Sequence, residues 1–408
     1  MNKKINLAVA GAVLLASATA ANAGIIIPAG EWTMDINGNV NVYATMQNYD
    51  DAAIAAAGAM SGAKDGTEDN NQSINTGLLP AWLGFTGTTR QNDLDVSFTI
   101  SFQPNVSDNG AAGDTNQPLN RQAFMTFGDK SWGSVKLGKD LGIFAADAIL
   151  GDMTLLGVGA GYGNSGTSTT LGGIGTGYIY PAWKGQIAYT TPNMNGFQAT
   201  IGITNPNQAS GNANFQDTFG LEAKASYAIT AGAATGKVWV SGASYDVTTR
   251  AVAQVSNLGD TRYIAPVAAE THDATVADIG LNLNVGNLGL TGYYYSGSGV
   301  GTTVLGAAGQ GATAAGAERD SDGGYVQATY VIPTGTKLGV SYGVSRLDMA
   351  GNDTTALLDE NNRWTVGAYH PLTKHLNLVA EYNQVESENH AGASAESDAI
   401  SLGAILFF

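Results

Sequence analysis

A sixteen-stranded, antiparallel transmembrane β-barrel is the fold this sequence predicts, on three observations: a two-residue rhythm of apolar and polar side chains, breaks that alternate short turns with long polar connections, and an export leader ahead of a chain without cysteine. Side chains on a strand point to opposite faces in turn, whereas a helix repeats its apolar residues every three or four positions. In 94–102, Leu94, Val96, Phe98, Ile100 and Phe102 share one face and Asp95, Ser97, Thr99 and Ser101 the other. The plan recurs in Phe219, Leu221, Ala223, Ala225 and Tyr227 against Gly220, Glu222, Lys224 and Ser226. It recurs again at 279–285 and 337–344.

Strands are expected at 31–46, 78–89, 92–103, 121–129, 132–139, 184–191, 195–204, 217–229, 236–249, 274–286, 287–298, 323–332, 335–346, 362–371, 374–385 and 396–408. Tight turns with the usual Gly, Pro, Asn and Asp chemistry separate alternate pairs, among them Gly286-Asn287 and Pro333-Thr334-Gly335. Eight long connections rich in Gly, Ala, Ser, Asn and acids lie between them. Short turns at one rim, long loops at the other and an even strand number describe a barrel in an outer membrane. Lipid then requires closure, because an open sheet would leave edge N–H and C=O groups without partners. Trp32, Tyr43, Trp132, Tyr189, Tyr330, Trp364 and Tyr382 fall near strand ends, where interfacial aromatic girdles form.

Residues 1–23 read as a cleavable leader: Lys3 and Lys4, an apolar run from Ile5 to Ala18, then Ala21-Asn22-Ala23. The remainder, 24–408, has no linker that would divide it and is expected to be one domain. Loss of the leader's two lysines would leave 16 basic against 34 acidic residues, a formal charge of −18. That balance argues against a nucleic-acid partner, whose phosphates require a basic surface. With no cysteine, neither disulfides nor thiolate chemistry can contribute.

The stretch Asn120-Arg121-Gln122-Ala123-Phe124-Met125-Thr126-Phe127-Gly128, followed by Trp132-Gly133-Ser134-Val135-Lys136-Leu137-Gly138-Lys139, resembles a hairpin of the Gram-negative general porins, the trimeric diffusion porins. Ala81-Trp82-Leu83-Gly84-Phe85-Thr86-Gly87 is similar to that family's second strand, and the terminal Phe408 resembles the signal read by the barrel-assembly machinery. The resemblance implies a homotrimer in outer-membrane lipid, passive diffusion of small hydrophilic solutes and ions, and no cofactor. It also implies that the third long connection, about 140–183, folds inward, which would account for the apolar run Leu141-Gly142-Ile143-Phe144-Ala145-Ala146. The stretch 104–120 would latch onto a neighbour.

By the same resemblance Asp147 and Asp152 form the acidic side of a constriction, with Asp140 at the start of the loop and Arg121 on the wall opposite. Alternation independently places Lys136 in the lumen, since Val135 and Leu137 take the lipid face. Trp82, Asp95, Glu222, Lys224 and Glu381 are further lumen-facing candidates. Trp82 and Thr86 stand where enterobacterial members carry basic residues, so the thin basic wall and the net charge together predict cation preference.

Other motifs carry less. Gly161-Tyr162-Gly163-Asn164-Ser165-Gly166 fits a dinucleotide fingerprint without its strand and helix, and Gly339-Val340-Ser341-Tyr342-Gly343 lies within a strand where a nucleophile elbow would end one. His370 and His375 flank a turn and provide no zinc ligand set. The acidic runs at 65–69, 318–322 and 359–360 are expected as hydrated loops, or as divalent-cation bridges to lipopolysaccharide. A substrate-specific channel and an exported adhesin remain the alternatives to a general diffusion pore.

Overall fold

The computed structural model describes residues 24–408 except 51–53, 55, 63–68, 105, 107–118, 161–168, 206–212, 216–217, 251–269, 306–309 and 314. The leader, the 161–166 glycine motif and most of the expected latch at 104–120 lie outside the described residues. Nineteen strands are found among those described: β1 Ile25–Ala29, β2 Trp32–Tyr49, β3 Asn70–Asn75, β4 Trp82–Gln91, β5 Leu94–Gln103, β6 Leu119–Asp129, β7 Gly133–Leu141, β8 Trp183–Thr190, β9 Phe197–Thr204, β10 Ala213–Phe215, β11 Gly220–Ala231, β12 Ala234–Arg250, β13 Glu270–Val285, β14 Leu288–Ser298, β15 Asp320–Val331, β16 Lys337–Leu347, β17 Leu358–Pro371, β18 Leu376–Asn389 and β19 Ser394–Phe407.

Sixteen of them form the barrel, each antiparallel to the next in chain order from β2 through β4–β9 and β11–β19. The ring closes where β19 meets β2, from Ser397↔Tyr49 to Phe407↔Asn39. Phe408 and Gly38 continue that ladder by exchanging backbone hydrogen bonds of 2.8 and 3.0 Å. The sixteen expected strands are all present, with ends that move by four residues at most. Three short strands were not foreseen. β3 and β10 extend the wall beside β2 and β12 at the long-loop rim, while β1 pairs with the lower part of β2, from Ala29↔Trp32 to Ile25↔Ile36. The eighth long connection is a further correction: residues 390–393 form a four-residue turn, closed by Asn389 C=O accepting from Gly392 N at 2.8 Å and by Asn389 N donating to Ala393 O at 2.9 Å.

Burial follows the alternation in the sense opposite to a soluble protein. On β5, Thr99, Ser101 and Gln103 are buried while Ile100 is exposed; on β17, Asn361, Arg363 and Thr365 are buried while Trp364 and Val366 are exposed. Apolar side chains therefore form the outer surface and polar ones the filled interior, the arrangement lipid demands of a barrel. Inside, many of the polar groups pair with one another. Thr45 and Ser401 hydroxyls pair at 2.8 Å, Arg363 donates to Thr365 at 2.7 Å, and Thr365 donates on to Asn383 at 2.6 Å. Trp132, Tyr189, Tyr330, Trp364 and Tyr382 lie on the outer face as expected of girdle residues. Tyr43 does not: it is buried inward and donates to Leu156 O at 2.7 Å, because the polar residues Asn39, Asn41 and Thr45 share its side of β2.

Candidate pore constriction

The inner loop, residues 142–182, connects β7 to β8 and folds into the barrel. Its apolar start drives this, since Ile143 is buried and Phe144, Ala145, Ala148, Ile149 and Leu150 are buried in one cluster with the inward-facing Trp239, Tyr293 and Tyr325 of the wall. A short helix, α1 (Ala146–Gly151), and a 3-10 turn, Met153–Leu156, follow. Burying a stretch of this kind leaves main-chain groups that must find partners. The wall provides them. Glu222 on β11 accepts from the backbone N–H of Ile143 at 2.6 Å and of Phe144 at 3.0 Å. Tyr325 on β15 donates to Ala148 O at 2.8 Å, and Gln327 accepts from Met153 N at 2.7 Å. Glu381 on β18 accepts from Val158 N at 2.8 Å and Gly159 N at 2.9 Å, and from the Tyr369 hydroxyl at 2.7 Å.

Ion pairs complete the attachment. Asp147 contacts both Lys224 on β11, at 2.8 Å, and Lys237 on β12. Burial pushes the Asp147 carboxyl up, but the two ammoniums outweigh it and hold the group below its ordinary value. Asp152 lies 3.6 Å from the Arg363 guanidinium of β17, accepts from the Tyr178 hydroxyl at 2.9 Å, and accepts from Thr154 N at 2.9 Å to start the 3-10 turn. Burial raises the Tyr178 hydroxyl well above its ordinary value, so it remains a donor. Behind the start of the loop, Lys184 and Glu222 form a fully buried pair at 2.5 Å, with the Tyr245 hydroxyl against both.

Each residue expected at the constriction is therefore inside the barrel, but the pairing differs from the expected one. Asp147 and Asp152 face Lys224, Lys237 and Arg363, whereas Arg121 donates at 3.1 Å to Tyr180 near the end of the loop. Strict alternation would put Arg121 outside with Ala123 and Met125. A β-bulge intervenes: Ser101 pairs with Gln122 and Phe102 with Asn120, so Arg121 is the extra residue, and such an insertion re-aims a side chain. Lys136 pairs with Asp140, which also accepts from Gln122 at 2.7 Å. Trp82 is buried inward, 6.2 Å ring to ring from Trp183 at the end of the loop. Glu222, Lys224 and Glu381 are anchors of the loop. Asp95 sits apart at the short-turn rim, paired with Arg90 at 2.7 Å.

Lys237, Arg363, Lys184 and Tyr178 went unremarked in the sequence. For Lys237 the signal was available, because it alternates inward with Trp239, Ser241 and Tyr245 against Val238 and Val240. Two more connections join the inner loop. In the first, Met60 N and Ser61 N donate to Ser387 at 2.9 and 3.0 Å, and Asn361 donates both to Gly58 O and to Gly175 O of the inner loop. In the second, Thr303 O accepts from Tyr180 N at 2.8 Å.

The 318–322 run is not simply hydrated: Arg319 is buried and makes a two-pronged pair with Asp353, both contacts at 2.7 Å. Hydrogen bonding to Arg319 holds the Asp353 carboxyl below its ordinary value. A depressed acid contributes stability above its unfolded value near pH ~3.9 and loses it as pH falls through the lower folded value. Protease cleavage within 348–357 is accordingly expected to accelerate below about pH 4 in the native chain and to lose that pH step in Arg319→Gln. An identical acid response in the two proteins would contradict a tether by Arg319 and Asp353. Among the described residues no group of three or more His, Asp or Glu side chains is placed to hold a metal ion.

Comparison with known proteins agrees with the geometry. The family model described as Gram-negative porin matches residues 8–390. No curated protein matches. Among solved structures, the outer membrane channel DcaP of Acinetobacter baumannii is 14% identical, with a TM-score of 0.63 over 93% of this chain and 99% of that one. OmpT of Vibrio cholerae gives 15% identity and 0.58 over 94% and 100%, and Salmonella typhi OmpF in complex with daunomycin 16% and 0.56 over 94% and 100%. At those identities the structures attest the fold, and the family model attests the kinship. With a closed ring of sixteen strands, apolar outside and polar within, and a loop pinned across its lumen, the chain belongs to the Gram-negative porins and is an outer-membrane diffusion channel.

Proposed function

We propose that small hydrophilic solutes and ions cross the outer membrane passively beside the inner loop, without a catalytic step or cofactor. The observation that carries this reading is the attachment of residues 143–159 to β11, β12, β15, β17 and β18 by buried hydrogen bonds and ion pairs. A loop held at so many points narrows a channel and stays in place while solute passes. Arg121, Lys136, Asp140, Asp147 and Asp152 set the bore, the first two on the wall and the last two through the loop they hold. Purified protein added to a planar lipid bilayer is expected to give stepwise conductance increments. A bilayer that stays sealed at every protein concentration would refute the channel.

Export through cleavage of residues 1–23, insertion guided by Phe408, and contact with lipopolysaccharide at the long-loop rim belong to the same proposal. So does a homotrimer; one of the solved relatives, Vibrio cholerae OmpT, is described in a trimer form, at 15% identity and a TM-score of 0.57 over 92% of this chain and 99% of that one. The cation preference was expected from the net charge and a thin basic wall, with Asp147 and Asp152 on the acidic side of the constriction. Both are paired and buried, so selectivity turns on the charges that remain accessible.

A further inference from the structure

Around the inner loop the carboxylates are buried, as are Lys184 and Arg363 at 1% side-chain exposure, but three further lysines keep access to the lumen. Side-chain exposure is 2% for Asp147, 0% for Asp152 and Glu222, and 10% for Asp140, while it is 20% for Lys224, 26% for Lys136 and 42% for Lys237. These carboxylates are thus spent on buried contacts, and the ammoniums of Lys136, Lys224 and Lys237 are left showing. At Asp147 the imbalance is sharpest, because one buried carboxylate lies against two lysines that both reach the lumen from neighbouring strands. Each ammonium has three N–H donors, so one shared carboxylate leaves donors over. Lys237 also lies 5.8 Å from the Trp239 ring, which keeps its stem against the wall.

Other acids that contribute to the net charge lie away from the loop. Asp322, Glu360, Glu386 and Glu396 fall on the outward-facing register of β15, β17, β18 and β19, in line with the exposed Val326, Trp364, Tyr382 and Ile400. Screening over ~8 Å at physiological salt removes charges on the far side of the wall from the account of a passing ion.

We infer that Lys224 and Lys237 form an anion subsite at the waist, and that the channel favours small solutes bearing carboxylate or phosphate groups over cations. This rests on the reading of the protein as a diffusion channel and names the solute class it prefers. One uncompensated unit charge about 5 Å from a permeating ion in water changes its local concentration about four-fold.

The test is a planar bilayer with the full-length purified channel under a potassium chloride gradient. The reversal potential is expected to report chloride entering about two- to four-fold more readily than potassium, with Lys237→Gln bringing the ratio toward one and Lys237→Arg retaining it. Inorganic phosphate is expected to reduce the chloride current in the native channel more than in Lys237→Gln. Steps of conductance with a potassium preference, or with no preference and no effect of phosphate, overturn the anion subsite and leave the channel standing. Absence of any conductance overturns the channel itself, and the subsite falls with it. The native reversal potential decides the matter even where Lys237→Gln fails to fold, which heat-modifiable gel mobility reveals.

Discussion

Leu281→Arg is expected to destabilise the folded barrel in lipid by about 2–4 kcal/mol, and Asn282→Arg, the next residue on the same strand, by less than about 1 kcal/mol. Leu281 lies mid-strand on β13 with its side chain outward, on the register of the exposed Ile279, while Asn282 faces the lumen and donates to Thr291 at 2.9 Å. A guanidinium placed among acyl chains gives up its hydration, whereas one placed in the lumen keeps it. Urea-titrated folding into lipid vesicles, read by gel mobility, measures both. Equal losses from the two substitutions would mean that the β13 faces are assigned the wrong way round.

Glu222→Leu should have the next largest effect. It removes the acceptor for two backbone N–H groups of the inner loop and leaves Lys184, 1% exposed, without its carboxylate. Breaking one side of a buried pair costs about 3–5 kcal/mol, whereas replacing both partners with apolar groups of similar size is often close to neutral. Glu222→Leu is therefore expected to lower the thermal midpoint of the gel-mobility shift and to give larger, noisier conductance steps, because the loop loses its first anchor while the ladder of the wall stays intact. Adding Lys184→Met should restore the midpoint but not the quiet steps, since Ile143 and Phe144 still lack their acceptor. Unchanged steps in both variants would remove Glu222 from any part in holding the loop.

The barrel was legible in the sequence because each spanning strand repeats one local rule, and lipid outside with water inside enforces it over the whole wall. Where that rule lapses, so did the expectations. β1, β3 and β10 pair at the rims, where neither face needs a fixed polarity, so Ile25, Ile26 and Ile27 are all exposed in one run. Tyr43, expected in a girdle from its place near a strand end, instead turns its phenol inward as a donor to the inner loop. At the constriction, the residue types were readable and the pairs were not. Arg363 meets Asp152 across 211 positions of chain, and no local pattern foretells which wall residue a long loop will reach. Arg121 is the instructive case, since its side was reached by resemblance and against alternation, through an insertion in β6 that neither face pattern nor composition betrays.

Glu222 and Glu381 hold the inner loop by its peptide groups, not by the side chains of residues 143, 144, 158 and 159. Peptide N–H groups are the same whatever residue bears them, proline excepted. The grip itself therefore does not depend on which side chains stand at 143, 144 and 158, although burial holds those positions to apolar groups and the left-handed backbone of Gly159, close against Gly172, holds that one to glycine. What the two glutamates exclude is proline, which at any of the four positions would delete the donor they hold.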